Sequence, residues 1–451
     1  MTTATSQTTP DEHQFIKEPN KAMILLAVPV LFSLIAEPIT GLIDTTFITS
    51  LGVAPLAALG IGTSVLSLGF WVFNFLGVST HTEVAQALGR QKHKEAAKIT
   101  GLALLVALAL GLLVIAIVWP LAPTMVPWAG ASEPEVIDNA VTYVRYRLIG
   151  APAVIMLMVV FGTLRGLQDM VSSMYIAIGI NVLNIGLDWA LIFGIGPFPE
   201  WGIAGAATAS AIAQWIGVLW GIAIVGRKLG LTSQIDFSRS LALFKVGGDI
   251  FIRSGMLILF LFFGTRVANQ MGAEAGAAHQ VIRQLWILGV FIMEAFAETT
   301  QSLSGYFFGA NMLKQTRRVA GYGMVWGVAS GFFVSALLFA STGLVNRWML
   351  PAAAVAPFAA GWILAVVSQP ISSIAFITDG VLWGTGDYGY MRNGMIFASV
   401  AGIALLWLVE RSGSTNLLWV WAITVVWIII RAVWGAVRIW PGVGTAPLAL
   451  T

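Results

Sequence analysis

Long apolar blocks separated by short polar runs fill this chain. Residues 99–132 carry no charged side chain, and neither do residues 348–378. Each block exceeds the roughly 20 apolar residues with which an α-helix crosses about 30 Å of hydrocarbon. Followed from end to end, the alternation predicts twelve helical spans, near residues 22–50, 55–87, 96–121, 137–166, 171–195, 202–228, 241–270, 274–306, 315–345, 353–384, 390–409 and 416–438. The stretch from Lys228 to Ser240 holds Ser233, Asp236, Ser238 and Arg239 and reads as a linker. The predicted fold class is all-α and integral to a membrane. It comprises a tail at 1–21, a first half at 22–228, a linker at 229–240, a second half at 241–440 and a C-terminal tail at 441–451. Residues Met1–Asn20 are polar, with Pro10, Asp11, Glu12 and Glu18, and lack the layout of a cleaved signal. That tail is expected to be disordered.

The two halves resemble each other. Gly52, Ala58, Gly89, Lys94 and Gly101 recur 220 residues later as Gly272, Ala278, Gly309, Lys314 and Gly321. Pro152, Gly162, Gly166 and Asp169 recur 218 residues later as Pro370, Gly380, Gly384 and Asp387. A duplicated, strongly apolar chain points to a transporter built from two bundles with a pathway between them.

Charge sets the expected orientation. Basic residues gather in alternate loops: Arg90, Lys92, Lys94 and Lys98; Arg165; Arg227, Lys228, Arg239 and Lys245; Lys314, Arg317 and Arg318; Arg392; Arg438. The opposite loops carry Glu133, Glu135, Asp138, Glu200 and Glu274, with Arg347 and Arg411 against them. Arg145 and Arg147 lie towards that side and weaken the contrast. Basic loops stay in the cytoplasm, so both termini are expected there, in a multi-pass protein of the cell membrane. Trp119, Trp128, Trp201, Trp348 and Trp440 fall near span ends, as interfacial anchors do.

Composition narrows the chemistry. Hydrophobic residues make up 58% of the chain and charged residues 10%, against about 25% charged in a soluble domain. The absence of cysteine removes disulfides and thiolate chemistry. A net charge of +3, spread over many loops, gives no support to nucleic-acid binding. No G-x-x-x-x-G-K-[ST] loop is present, so work must come from an ion gradient. Four histidines and no nucleophile–base spacing argue against an enzyme. No cofactor and no metal site is expected beyond H⁺ or Na⁺ as coupling ion.

Polar residues inside the spans are the site candidates, because an ionisable group in hydrocarbon is costly. Glu37 and Asp44 lie two helical turns apart on the first span; Asn181, Asn184 and Asp188 share a face of the fifth. Asp44 lies eight residues before Gly52 and Asp188 eight before Gly196, which puts the two acids at similar depth. They read either as helix-packing contacts or, taken together, as a cation site. Pro29 and Pro38 interrupt the first span and would let it kink. The second half lacks this acid pair: Gly264 and Leu406 stand at the corresponding positions. It has Asp249, Arg253, His279, Glu294, Glu298 and Asp379 instead. Arg253 with Glu294 or Asp379 would form a buried ion pair or take part in transport. His279 reads as a packing residue.

These residues carry a family resemblance. The run Leu42-Ile43-Asp44-Thr45-Thr46-Phe47-Ile48, the run Asn184-Ile185-Gly186-Leu187-Asp188 and the run Gly202-Ile203-Ala204-Gly205-Ala206-Ala207-Thr208 together resemble the multidrug and toxic compound extrusion (MATE) family over about residues 22–440. Ala277-Ala278-His279-Gln280, Trp286, Glu294, Gln301, Gln369-Pro370 and Asp379-Gly380 resemble its DinF-type branch. The resemblance implies twelve helices in two pseudo-symmetric six-helix lobes around a central V-shaped cavity, and efflux of small organic compounds in exchange for a cation. It implies that Asp44 and Asp188 form the coupling site, with Asn184, Thr208 and Tyr143 around it. Glu37-Pro38 stands where the branch often has Asp-Pro, which adds Glu37 to the candidates and leaves the ion, H⁺ or Na⁺, open. A monomer is expected. An organic-acid exporter of the same family and a lipid-linked saccharide flippase of the wider fold are the alternatives, although a flippase cavity would carry more basic residues than this acid-rich first half.

Overall fold

The computed structural model describes residues 10–230 and 240–449, and those residues form helices and turns without a strand. Sixteen α-helices follow in order among them: α1 Gln14–Lys17, α2 Pro19–Thr49, α3 Val53–Trp71, α4 Asn74–Gly89, α5 His93–Trp128, α6 Pro134–Leu148, α7 Ala151–Gly166, α8 Met170–Phe193, α9 Gly202–Leu229, α10 Ser240–Gln270, α11 Ala273–Gly309, α12 Leu313–Trp348, α13 Val355–Val367, α14 Gln369–Thr385, α15 Tyr388–Arg411 and α16 Leu418–Ile439. Nine of the described helices are long and apolar enough to cross a membrane, and eleven spans result when each bent pair, α6 with α7 and α13 with α14, counts as one. The bends are 49° and 46°, and Pro152 and Pro370 sit in the first turn after each break. The expected second span is split at residues 72–73 into α3 and α4. Large apolar side chains such as Val53, Phe332, Phe333 and Phe339 stand exposed on the helices. That is the surface of a protein whose solvent is lipid.

The duplication is visible in backbone geometry. Gly52 and Gly272 precede α3 and α11 with φ of 121° and 118°, values that favour glycine. Gln91 and Asn311 close the turns after α4 and α11, both at φ 59°, with Lys92 N–H on the Ala87 carbonyl and Met312 N–H on the Phe307 carbonyl. Close helix crossings repeat as well. A Cβ at Gly162 would lie 2.3 Å from the Gly77 carbonyl oxygen, and one at Gly380 would lie 2.4 Å from that of Ala297. The sequence offsets of 220 and 218 therefore mark shared crossings, where small residues let backbones touch.

The contact pattern divides the chain into two compact units, Phe32–Gly247 and a second formed by Gly248 onward together with the residues up to Leu31. The expected halves differ at their edges. The first part of α2 belongs with the second-half helices, and the boundary falls two residues after Pro29. The linker expected at 229–240 lies mostly outside the described residues.

The N-terminal segment shows why α2 is shared. Residues 10–21, expected in a disordered tail, are ordered: Pro10–Glu12 form a 3₁₀ turn and α1 follows. Phe15 is fully buried, against the rings of Phe307 and Tyr322. The Arg318 guanidinium stacks over Phe15 and donates to the Ile16 carbonyl at 3.3 Å. Trp326 Nε1 donates to Asn20 Oδ1 at 3.1 Å. The C-terminal residues fold back in the same unit. Arg317 Nε donates to the Leu448 carbonyl at 2.9 Å, and Arg438 donates to Asp387 Oδ2 at 2.7 Å and to the Val443 and Thr445 carbonyls. Adjacent arginines of α12 thus hold the two ends of the chain.

Candidate functional site

Within the unit 32–247, α8 packs along α9, and small residues of α9 allow the approach: a Cβ at Gly205 would lie 2.5 Å from the Leu191 carbonyl oxygen. This contact buries one polar face of α8. Asp188 is fully buried and Asn184, one turn earlier, is 8% exposed. Asn184 Nδ2 donates to Asp188 Oδ2, and Ser210 Oγ of α9 donates to Asn184 Oδ1 at 3.2 Å. A chain of hydrogen bonds therefore leads from α9 to the carboxyl group.

The other carboxyl group comes from α2. Asp44 and Asp188 lie within hydrogen-bonding contact of each other. Yet Asp44 Oδ1 and Asp188 Oδ1 are buried without any donor from the protein. An ionised carboxylate only accepts. Two of them in contact are compatible with burial when a proton, or another cation, sits between them. Arg147 of α6 stands close enough for its charge to act on both acids. Its Nη1 donates to Gln214 Oε1 of α9 at 2.6 Å, and it also bonds the Tyr143 hydroxyl. Tyr143 is 6% exposed and lays its ring over Gly62 of α3.

Four of the expected residues thus come together: Asp44, Asp188, Asn184 and Tyr143. Two do not. The Thr208 hydroxyl is turned back to the Ala204 carbonyl of its own helix at 2.7 Å, and Ser210, on another side of α9, supplies the hydroxyl instead. Glu37 is exposed. Arg147, Ser210 and Gln214 were not foreseen as site residues. Their signal was spacing: Arg147 follows Tyr143, and Gln214 follows Ser210, by one helical turn. Among the described residues no group of three or more His, Asp or Glu converges as a metal cage would.

Pro29 is buried within α2, which runs on as a helix through both prolines. Proline has no N–H to donate, so the ladder is interrupted there. Further along α2, Thr40, Thr45, Thr46 and Thr49 each donate to the carbonyl four residues earlier, at 3.1, 2.7, 2.8 and 2.6 Å. Such back-bonding eases bending.

In the other unit, Arg253 and Arg431 both pair with Asp379 Oδ2, the latter at 2.9 Å. Arg253 stacks on Trp383 and Arg431 on Trp427. Glu294 adds its charge near Arg431. The ion pair expected for Arg253 is thus made with Asp379, and Arg431 joins it. His279 is 5% exposed, bonded to Thr265 at 3.2 Å and set against Trp421.

Known proteins resemble this chain along most of its length. A family model described as MatE matches the chain twice, over residues 29–190 and 250–408. The chain is 28% identical to Protein DETOXIFICATION 44, chloroplastic, of Arabidopsis thaliana, over 98% of this chain and 87% of that one. It is 29% identical to DNA damage-inducible protein F of Escherichia coli strain K12, over 91% and 90%. It is also 29% identical to the probable multidrug resistance protein NorM of Deinococcus radiodurans, over 88% and 92%. Among solved structures, MATE in the bent conformation matches with a TM-score of 0.83 at 21% identity, over 93% of this chain and 95% of that one. The outward-facing conformation of a multidrug resistance MATE family transporter matches with a TM-score of 0.84 at 20% identity, over 94% and 97%.

Proposed function

This chain belongs to the MatE family, and from that premise we propose that it is a secondary antiporter that exports organic compounds in exchange for protons bound between Asp44 and Asp188. The observation that carries this reading is the contact between the Asp44 and Asp188 carboxyl groups, each with one buried oxygen that has no donor. Na⁺ is disfavoured by the ligand count. A hard cation gathers several oxygens. Here Asn184 Oδ1 is engaged by Ser210, Asn184 Nδ2 points at Asp188, and the Thr208 hydroxyl is turned away. What remains is the carboxyl oxygens of the pair itself, which suits a shared proton.

The coupling follows from differential binding. A ligand that binds both conformations equally shifts nothing. Protonation draws Asp44 of α2 onto Asp188 of α8, and α2 yields at Pro29. Deprotonation parts the acids and favours the substrate-loaded form. Solved relatives titled as straight and bent conformations of MATE fit a fold with two such states. The protein sits in the cell membrane with both termini in the cytoplasm, and chemistry on the substrate itself has no part in the cycle.

Purified protein in liposomes tests this. A panel of organic cations and anions is loaded, and a proton gradient or a Na⁺ gradient is imposed separately. Export should follow the proton gradient alone. Asp44→Asn and Asp188→Asn keep the shape and remove the titratable group, so both should lose gradient-driven export at equal reconstituted amounts. Wild-type rates in both would overturn the proposal.

A further inference from the structure

Arg147 stands beside the acid pair with its hydrogen bonds directed elsewhere. Its guanidinium is held by Gln214 Oε1 at 2.6 Å and by the Tyr143 hydroxyl, while its charge acts on both Asp44 and Asp188. The ionisable groups that face the site are few. α2 brings Asp44, α8 brings Asp188, and α6 brings Tyr143 and Arg147 itself; α9 contributes Ser210 and Gln214, which do not titrate. α3 and the part of α5 from residue 99 to 128 contain no ionisable side chain.

A site of this composition has a charge problem. At the moment the shared proton leaves, and before the acids part, two carboxylates face each other in a largely enclosed place. They repel each other, and burial amplifies the repulsion. A cation must replace the proton, or the proton will not leave. Arg147 is permanently charged and is already there. Its two present partners, an amide oxygen and a hydroxyl, are neutral acceptors, and hydrogen bonds to such groups are weaker than those to a carboxylate. A guanidinium also offers five donors in a fork that suits carboxylate oxygens. Asp44 Oδ1 and Asp188 Oδ1 are the acceptors without a donor.

We infer that Arg147 is the internal counter-ion of the coupling site, which offsets one of the two carboxylate charges on Asp44 and Asp188 when their shared proton departs. The inference rests on the acid-pair reading above. It makes the guanidinium take over the hydrogen-bonding place of the departed proton, and it assigns Gln214 and Tyr143 the task of parking the guanidinium while the proton is bound.

The test needs no substrate. The full-length protein in lipid nanodiscs is titrated with acid and base, and the infrared band of protonated carboxyl groups is followed. Subtracting the spectrum of Asp44→Asn isolates the pair. In Arg147→Gln the midpoint of that band should move to more alkaline pH by about one unit, since a nearby opposite charge favours the ionised form by this order. Arg147→Lys, which keeps the charge, should stay near the wild-type midpoint. If Arg147→Gln does not accumulate, Arg147→Met preserves most of the stem packing and takes its place. An unmoved midpoint in the uncharged variant would overturn the inference, and so would an equal shift in Arg147→Lys. A wild-type spectrum with no band that Asp44→Asn removes would instead refute the acid-pair reading beneath it.

Discussion

A carboxylate inside a membrane helix needs a partner, and Asp44 and Asp188 find theirs in each other. This much was legible in the sequence. Acids in long apolar runs stand out, and the spacing of Asn184 from Asp188 placed them on one face. Arg147 was not legible, because α6 begins as a polar, amphipathic helix and its arginines read as loop charges. Thr208 was expected from the family resemblance alone, and Ser210 carried no such mark. The run from Gly202 to Ala213 is small residues apart from Ile203 and Ile212, which leaves little apolar pattern to fix the rotation of α9. The C-terminal unit gives a prediction at this scale. Asp379 answers two buried arginines, so Asp379→Asn strands both, a loss on the order of 3–5 kcal/mol. The yield of folded protein should fall sharply by size-exclusion chromatography. Glu294→Gln should lower protein level or export rate while the preference for protons over Na⁺ stays as in the wild type. A changed ion preference would move the coupling site to the other unit.

At the scale of elements, α2 is the helix that matters, since it carries Asp44 in one unit and begins in the other. Its start is anchored by α1. The sequence predicted disorder there because polar residues outnumber apolar ones before residue 21. A single buried aromatic outweighs that composition, since enclosing a phenylalanine contributes about 1.5–3 kcal/mol. Phe15 is enclosed by Phe307, Tyr322 and Arg318. Phe15→Ala should therefore release the segment. Limited trypsin digestion should then cut at Lys17 and Lys21 many times faster than in the wild type. Equal cutting rates would mean that the contacts with α11 and α12 do not hold the segment.

The whole molecule is a doubled apolar chain, and doubling was its plainest sequence signal. The repeated glycines became repeated helix crossings, and two matches to one family model fall on the two halves. What doubling could not show is where the units divide, because that depends on the docking of a short segment outside the repeat. The proposed orientation rests on the basic loops and has its own check. The chain has no cysteine, so a cysteine introduced at Ser233 is the only thiol. It should react with a membrane-impermeant reagent in inside-out vesicles and not in intact cells; labelling from outside would reverse the topology. The central claim, that one buried acid pair trades its proton for substrate, is tested most directly by counting protons. The compound that the wild type exports fastest is added to weakly buffered, purified protein near the pH at which the pair is half-loaded. The account predicts proton release into the medium by the wild type and none by Asp44→Asn or Asp188→Asn. Undiminished release by either variant would contradict it.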